Sequence, residues 1–389
     1  MQMAMAINND GRRINSLVCV FPFGLKPRSS QRYRYLLVGQ ISEFVSTTGN
    51  GIQFRTTMQR KLVSVQGISR LDPIAGADFI ERATVMGWHL VVKKGEFQEG
   101  DRCAFFEIDS MLPEAPWSEF MRSSQFRVRT KRMRGVLSQG LALPLSVVGV
   151  PHSAKVGTDI TEFCGVTKYE SPVSVQADIE GELPGFIPKN DEIRVQSAIG
   201  VLDELRGREV YATVKLDGMS ATYAKAYGQF YVCSRNNQLK TSGSAYWQMA
   251  ERYRLAELPE GYAVQGEICG EGVRKNRLRL KGLDFFVFSV FDIKKGQYLG
   301  MDAFMDFCHD HQLEWVPMVN IEGSYDSTDT GFDYSLEELL LVAEGFYEGT
   351  RNHREGIVIR PVEEAYSETL GSRLSIKVIS NQYLVKGGE

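Results

Sequence analysis

The sequence predicts an α+β protein: a small N-terminal β-barrel, then a larger domain of antiparallel sheets with flanking helices. Three observations carry this. Between Lys61 and Val150 the apolar residues come in short alternating runs without a sustained helical period. From residue 191 onward, strand-like and helix-like segments mix without the regular alternation of a doubly wound sheet. Between them, residues 165–190 are polar and acidic and are punctuated by Pro172, Gly181, Pro184, Gly185 and Pro188, which reads as a linker. With 389 residues, 43% of them hydrophobic and 24% charged, the chain can bury a sizeable core. Those proportions exclude wholesale disorder, collagen and coiled coil.

Residues 1–57 hold seven basic residues and only Asp10 and Glu43 as acids, and they read as a poorly ordered extension. The apolar stretch behind Arg12-Arg13 is too short for a secretory signal, although an Arg-rich, acid-poor start also resembles an organelle transit peptide. Residues 58–164 form the expected barrel module. Leu62–Val65 alternates, Val85–Val92 is a second strand and Cys103–Ile108 a third, with Glu96–Asp101 as the turn between the last two. Phe126–Arg134 is expected as a strand with Arg127, Arg129 and Lys131 on one face. Short strands without long helices suggest a barrel of the OB type.

Residues 191–389 form the second domain. Strands are expected at Val210–Val214, Ala221–Ala226, Phe230–Cys233, Tyr262–Ile268, Asp284–Ile293, Ile357–Arg360 and Leu374–Ile379. Ser244–Leu255 has a helical pattern, and Ser335-Leu-Glu-Glu338 is a capping box opening a helix that ends near Gly349. No internal repeat, GxGxxG or Walker A pattern is present.

Charge is distributed unevenly. Residues 1–150 carry a balance of +8 and residues 151–389 one of −11, within a net charge of −3. A basic front half suggests an anion-binding module. No run approaches the ~18 apolar residues of a membrane span. Six scattered cysteines without a CxxC pair argue against a zinc ribbon or a disulfide framework and suit a reducing, cytoplasmic setting.

The sharpest local feature is Val214-Lys215-Leu-Asp217-Gly218, a lysine ending a strand before an Asp-Gly turn. Ser234-Arg235-Asn236 follows 20 residues on, and Gln265-Gly-Glu267 lies 52 after Lys215. The aromatic strand containing Phe286 and Phe288 comes next. Glu355-Gly-Ile-Val-Ile-Arg360 lies 140 after Lys215, and Ser375-Ile-Lys377 22 after Glu355. A lysine amine can form a phosphoramidate with a nucleotide's α-phosphorus once it loses a proton, from a reference pKa of about 10.4. Glu267 and Glu355 alone would oppose that loss, so they are expected to hold a divalent metal, Mg or Mn. Lys377 and Arg235 would meet charge developing on the phosphates. Phe286 and Phe288 share a strand face, where one of them can stack on a purine and the other is core. His309 and His311, flanking Asp310, are read as solvated or capping rather than metal-binding.

This ordered set resembles motifs I, Ia, III, IIIa, IV and V of the covalent nucleotidyltransferases, the superfamily of ATP-dependent ligases and mRNA capping enzymes. The barrel precedes the nucleotidyltransferase segment here. Gly95–Asp101, Phe106–Pro113, Met133–Leu145, Ile187–Gln196 and Gly270–Asn276 resemble the Deinococcus-type RNA ligases, which begin with an OB module. That resemblance spans about residues 58–386. It implies an ATP-dependent RNA ligase that joins 3′-OH to 5′-phosphate ends through a lysyl-AMP intermediate, favouring nicks in duplexes with RNA at the 3′-OH side. Carried over by motif, Lys215 is the nucleophile and Lys377 contacts the α-phosphate. Glu267 binds ribose or metal, Glu355 belongs to the metal shell, and Arg235 contacts ribose or phosphate. Asp217, Gly218 and Gln196 join the cofactor-binding set. Many ligases have Lys-x-Lys in motif V where this chain has Ser375. The expected partner is RNA or an RNA-containing duplex, with no membrane and a monomeric enzyme. A DNA ligase, a GTP-using capping-type enzyme and a catalytically silent RNA-binding protein are the alternatives. The leading barrel argues against the first two, and the intact Lys215, Glu267, Glu355 and Lys377 against the third.

Overall fold

The computed structural model describes residues 32–37, 40–45, 60–169, 179–321 and 331–387. The chain divides into residues 1–57 and residues 58–389. In the first part, strands Arg32–Leu37 and Gln40–Val45 pair antiparallel. The expectation of a poorly ordered extension otherwise lies outside the described residues.

Within residues 58–389, the barrel module is a five-stranded antiparallel sheet. Its strands are β1 (Val63–Pro73), β2 (Ile80–Val85), β3 (Trp88–Lys93), β4 (Arg102–Phe106) and β5 (Leu141–Pro144), in the order β5-β4-β1-β2-β3. The Gln139 amide donates to the His89 carbonyl at 2.8 Å and the Val91 amide to Ser138 Oγ at 3.0 Å, so the two sheet edges meet. Alternation turns Val63, Val65, Leu90, Phe105 and Trp88 into one buried core. The run 85–92, expected as one strand, is two. Met86 has a φ of 52° and Gly87 completes the turn. A Cβ on Gly87 would lie 2.9 Å from Gln196 Cα, so the glycine also permits close approach of the following domain.

That domain has two sheets. The seven-stranded sheet comprises β6 (Ile179–Glu182), β9 (Met219–Ala226), β10 (Gln229–Ser234), β11 (Asn237–Leu239), β12 (Tyr262–Gly270), β13 (Leu283–Asp292) and β14 (Gln297–Tyr298). Their order is β6-β11-β10-β9-β12-β13-β14. The five-stranded sheet comprises β7 (Ile193–Arg194), β8 (Val210–Lys215), β15 (Met318–Val319), β16 (Gly356–Pro361) and β17 (Ile376–Ile379), in the order β7-β17-β16-β8-β15. β7 and β17 pair in parallel.

Each sheet has a helix-covered back. Ile357, Ile359, Ile376, Val378, Val210 and Ala212 pack against helices α1 (Val201–Leu205) and α4 (Leu336–Val342). On the other sheet, Val264, Phe285 and Val287 pack against α2 (Ala245–Arg252) and α3 (Met301–Asp310). The period of two then sends Lys215, Val358, Arg360, Lys377, Phe286 and Phe288 to the opposite, inner faces. The inner faces touch: Arg360 Nη1 donates to the Phe288 carbonyl at 3.2 Å. A short helix α5 (Asn381–Val385) follows β17.

Three further expectations change. Phe126–Arg134 is not one strand. It leaves the 3-10 helix Pro116–Ser124 through Gln125 and Phe126, both with positive φ; Arg127 makes a single antiparallel bridge to Met111, and Lys131–Met133 pairs with Val136–Ser138. Residues 165–190 are not free linker at their described ends. Thr167–Lys168 pairs with Ser110–Met111, and β6 forms the edge of the seven-stranded sheet. The Ser335 helix has its capping box but stops at Val342 rather than near Gly349. No helix among the described residues is long and apolar enough to cross a membrane.

Candidate active site

Lys215 is the last residue of β8, paired in register with Gly356, so Glu355 lies beside it. The ammonium Nζ is 3.0 Å from Glu355 Oε1. The turn Asp217-Gly218 folds back onto β12, where the Gly218 amide donates to Glu267 Oε1 at 3.1 Å. A Cβ at Gly218 would sit 2.3 Å from the Ile268 carbonyl oxygen, which is why the turn needs glycine there. Asp217 accepts from Arg277 Nε at 3.1 Å and is hydrogen-bonded to Tyr383 of α5. Tyr347 ties the two key strand ends together. Its hydroxyl donates to the Lys215 carbonyl and accepts from the Glu355 amide, each at 3.1 Å.

Charge in this pocket is unbalanced around Lys215. Burial disfavours its ammonium, but Glu355 and then Glu267 outweigh burial and hold the pKa above its ordinary value. Burial, reinforced by Glu355 and Asp217, pushes the Glu267 carboxyl up to about 7. Asp217 is raised by burial and by Glu355. Lys377 lies opposite Arg194 on one side and Val358 on the other. Burial, then Lys215 and Arg194, bring its pKa down to about 7.

The excess of carboxylates also tests the expected metal. Glu267 and Glu355 offer hard oxygen donors, the kind that suits Mg or Mn, while Asp217 is engaged by Arg277. No cluster of three or more metal-ligating side chains occurs among the described residues. The site therefore fits an ion that takes few protein carboxylates and completes its shell with water and phosphate oxygens, as Mg does.

The other expected residues fall as follows. Phe286 and Phe288 are half-buried on the inner face, packed near Leu216, Cys269 and Tyr347. Arg235, leaving β10, forms an ion pair with Asp191 on the half-exposed rim. Gln196 departs from its expected place. It is buried where the barrel module packs, its carbonyl accepting from the Gly87 amide at 3.1 Å. Beside it, Ser197 Oγ bridges Trp88 Nε1 and Glu107 Oε1, at 3.2 and 2.6 Å.

Arg127 requires the firmest correction. It is buried, 2.6 Å from Asp109, with its guanidinium 3.6 Å over the Tyr169 ring. The positive φ at Phe126 turns it inward, where a single carboxylate balances it. Arg129 and Lys131 are exposed, as are Arg132 and Arg134 of the same hairpin. Sequence reasoning missed Tyr347, Tyr383, Arg277 and Arg360. Only Arg360 carried a visible signal, as an arginine two positions from Val358 in an otherwise apolar strand.

Comparison with known proteins agrees with this geometry. The profile of an OB-fold domain family matches residues 62–145, and that of the RNA ligase family matches residues 208–379. A Naegleria gruberi RNA ligase solved with PPi is 36% identical, with a TM-score of 0.77, covering 85% of this chain and 99% of that one. A mutant of the Naegleria ligase with ATP and Mn gives a TM-score of 0.75 at 36% identity, covering 85% and 100%. A mutant with AMP and Mn also gives 0.75 at 36% identity, covering 85% and 99%. No curated protein matches the sequence. Because the likeness runs through the barrel module and the lysine-bearing domain together, this chain belongs to the RNA ligase family, in the Deinococcus-type group that carries an OB-fold ahead of its ligase domain.

Proposed function

We propose that the protein seals RNA 3′-OH/5′-phosphate breaks with ATP, acting through a lysyl-AMP intermediate on Lys215. The observation that carries this is Lys215 at a strand end, 3.0 Å from Glu355 and flanked by Glu267 across the Asp217-Gly218 turn. Lys215 Nζ, once neutral, attacks the α-phosphorus of ATP. The N–P bond forms, the bond from the α-phosphorus to the bridging oxygen breaks, and pyrophosphate leaves. AMP then passes to the 5′-phosphate, and the 3′-OH displaces it.

The chain's own groups have distinct parts in this. Glu355 is the acceptor within reach of the Lys215 proton. Glu267 holds the Gly218 turn and, with Glu355, would bind the divalent ion. When bound, that ion neutralises the carboxylates and lowers the cost of deprotonating Lys215. Lys377 meets the α-phosphate, Phe286 or Phe288 stacks on the base, and Arg235 reaches the ribose or a phosphate from the rim. The relatives solved with ATP, AMP, PPi and Mn support ATP as substrate and a divalent ion as cofactor.

The duplex contact is best carried by the exposed hairpin of Arg129, Lys131, Arg132 and Arg134, without Arg127. We further read the substrate as a duplex nick with RNA at the 3′-OH side and the enzyme as a monomer. Among the described residues five cysteines are free and buried, which suits the reducing cytoplasm. The test is sealing of matched nicked duplexes bearing RNA or DNA at the 3′-OH end, with ATP or GTP. Faster sealing of the RNA-ended nick with ATP is expected. Equal sealing of both, or use of GTP, contradicts the reading.

A further inference from the structure

Arg360 is among the largest fully buried side chains of the molecule, 1% exposed, and it lies beside the nucleotide pocket rather than in a core. A buried guanidinium is tolerated only when its charge and its donors are met. Here they are met from three directions. Nη2 pairs with Glu192 Oε1 at 2.7 Å, Nε donates to Ser375 Oγ at 3.0 Å, and Nη1 donates to the Phe288 carbonyl at 3.2 Å. Ser375 Oγ in turn donates to Glu192 Oε1 at 3.4 Å, closing a triangle.

These partners come from different walls. Phe288 belongs to the seven-stranded sheet, whereas Arg360 belongs to the five-stranded one and Ser375 directly precedes its strand β17. Ser375 stands two residues before Lys377 on the same inner face, and Glu192 directly precedes β7, whose Arg194 lies opposite Lys377. The planar fork of arginine can hold three such acceptors at fixed angles, which a lysine cannot.

We propose that Arg360, anchored on Glu192 and Ser375, is a positioning residue that fixes the Phe288 wall against the Lys377 wall, so that the base and the phosphates of one bound ATP meet both at once. The proposal rests on the reading of this pocket as an ATP site. It also gives the serine at position 375 a reason. A lysine there would place a second cation against the buried guanidinium, with Glu192 as the carboxylate in contact to share.

The test uses the full chain, covalent labelling by ATP over a range of ATP concentrations, and the thermal midpoint of each variant. Arg360→Ala and Ser375→Lys should each raise the KM for ATP about tenfold or more, because each leaves a buried charge unmatched. The maximal rate should fall less than the KM rises, because neither residue touches the reacting atoms. The double variant Arg360→Ala/Ser375→Lys restores one cation beside Glu192. It should recover about tenfold of the loss relative to Arg360→Ala, and part of the thermal midpoint. Ser375→Lys with wild-type KM and midpoint overturns the proposal. So does a double variant no better than the worse single one. If Arg360→Ala fails to fold, Ser375→Lys alone decides by the same criterion. Labelling of the wild type separates the two levels. An unlabelled wild type overturns the ATP-site reading, whereas a labelled wild type with no rescue overturns only the role of Arg360.

Discussion

Buried charges occur in both the OB module and the ligase domain, and those of the OB module are balanced where those around Lys215 are not. In the OB module, Arg127 faces Asp109 and Arg60 faces Glu107, one carboxylate to each cation. In the pocket, Lys215 faces Glu355 and Glu267, with Glu192 further off, while Lys377 feels Lys215 and Arg194. The first pattern is what a fold needs to bury an arginine. The second costs stability and is resolved only when something of the right charge enters. A divalent ion between the carboxylates and a triphosphate against Lys377 would resolve it. Charge balance, rather than burial or residue type, thus separates the structural arginine from the reactive lysines.

The largest expected effects are in the unbalanced site. Glu267→Ala and Glu355→Ala should each lower nick sealing by about a hundredfold or more, since the divalent ion loses a ligand beside the reacting phosphate. A readout independent of activity accompanies this. Mn should raise the thermal midpoint of the wild type, as any ligand of the folded state does, and should not raise it in either variant. Sealing and midpoint shifts at wild-type levels would remove the metal from these residues.

Arg127→Ala comes next, with a loss of stability of about 3 kcal/mol as the buried guanidinium and its pairing with half-buried Asp109 are lost. Its duplex affinity, measured where the variant is folded, should match the wild type. Unchanged stability with weakened duplex binding would reverse the assignment and return Arg127 to the nucleic-acid surface. The exposed hairpin gives the complementary result. Replacing Arg129, Lys131, Arg132 and Arg134 with Ala should leave stability unchanged and weaken duplex binding. The salt slope should fall by about 0.9 for every phosphate contact removed. An unchanged slope would make the hairpin a solvated edge.

The smallest effect is on stability against pH. In metal-free protein Glu267 titrates at about 7 instead of the ordinary 4.5, so the folded state keeps a proton that the unfolded chain has lost. The contribution of Glu267 to stability should therefore be fullest below the ordinary carboxylate range and decline as the pH rises towards 7. Glu267→Gln, which keeps the acceptor for the Gly218 amide, should remove this decline and be the more stable protein at pH 8 in the presence of chelator. Parallel curves for the two proteins would show that Glu267 ionises normally.

The ligase domain was more legible in the sequence than the OB module, and the reason is local. In β16 and β17 the apolar positions Ile357, Ile359, Ile376 and Val378 alternate against helices, which fixes Lys377 and Arg360 on the inner face. In Phe126–Arg134 the same alternation is present, but Gln125 and Phe126 adopt positive φ and break the register, so that Arg127 turns inward. Nothing in the residue types announces that turn. Tyr347 and Tyr383 were illegible for a different reason. They reach the site from a loop and from the C-terminal helix, and only the tertiary fold brings their hydroxyls to Lys215 and Asp217. Gln196 was assigned by its place in a motif segment, and that segment faces the OB module at its end.

The central claim is that Lys215, although its surroundings hold its proton in the unliganded protein, is the residue that becomes adenylated. Lys377, brought down to about 7, is the competing amine by acidity alone. Peptide mass spectrometry after incubation with ATP and Mn decides between them. AMP on Lys215, with labelling abolished in Lys215→Ala and the mass shift still on Lys215 in Lys377→Ala, is the predicted result. AMP on Lys377, or labelling that persists in Lys215→Ala, would contradict the account.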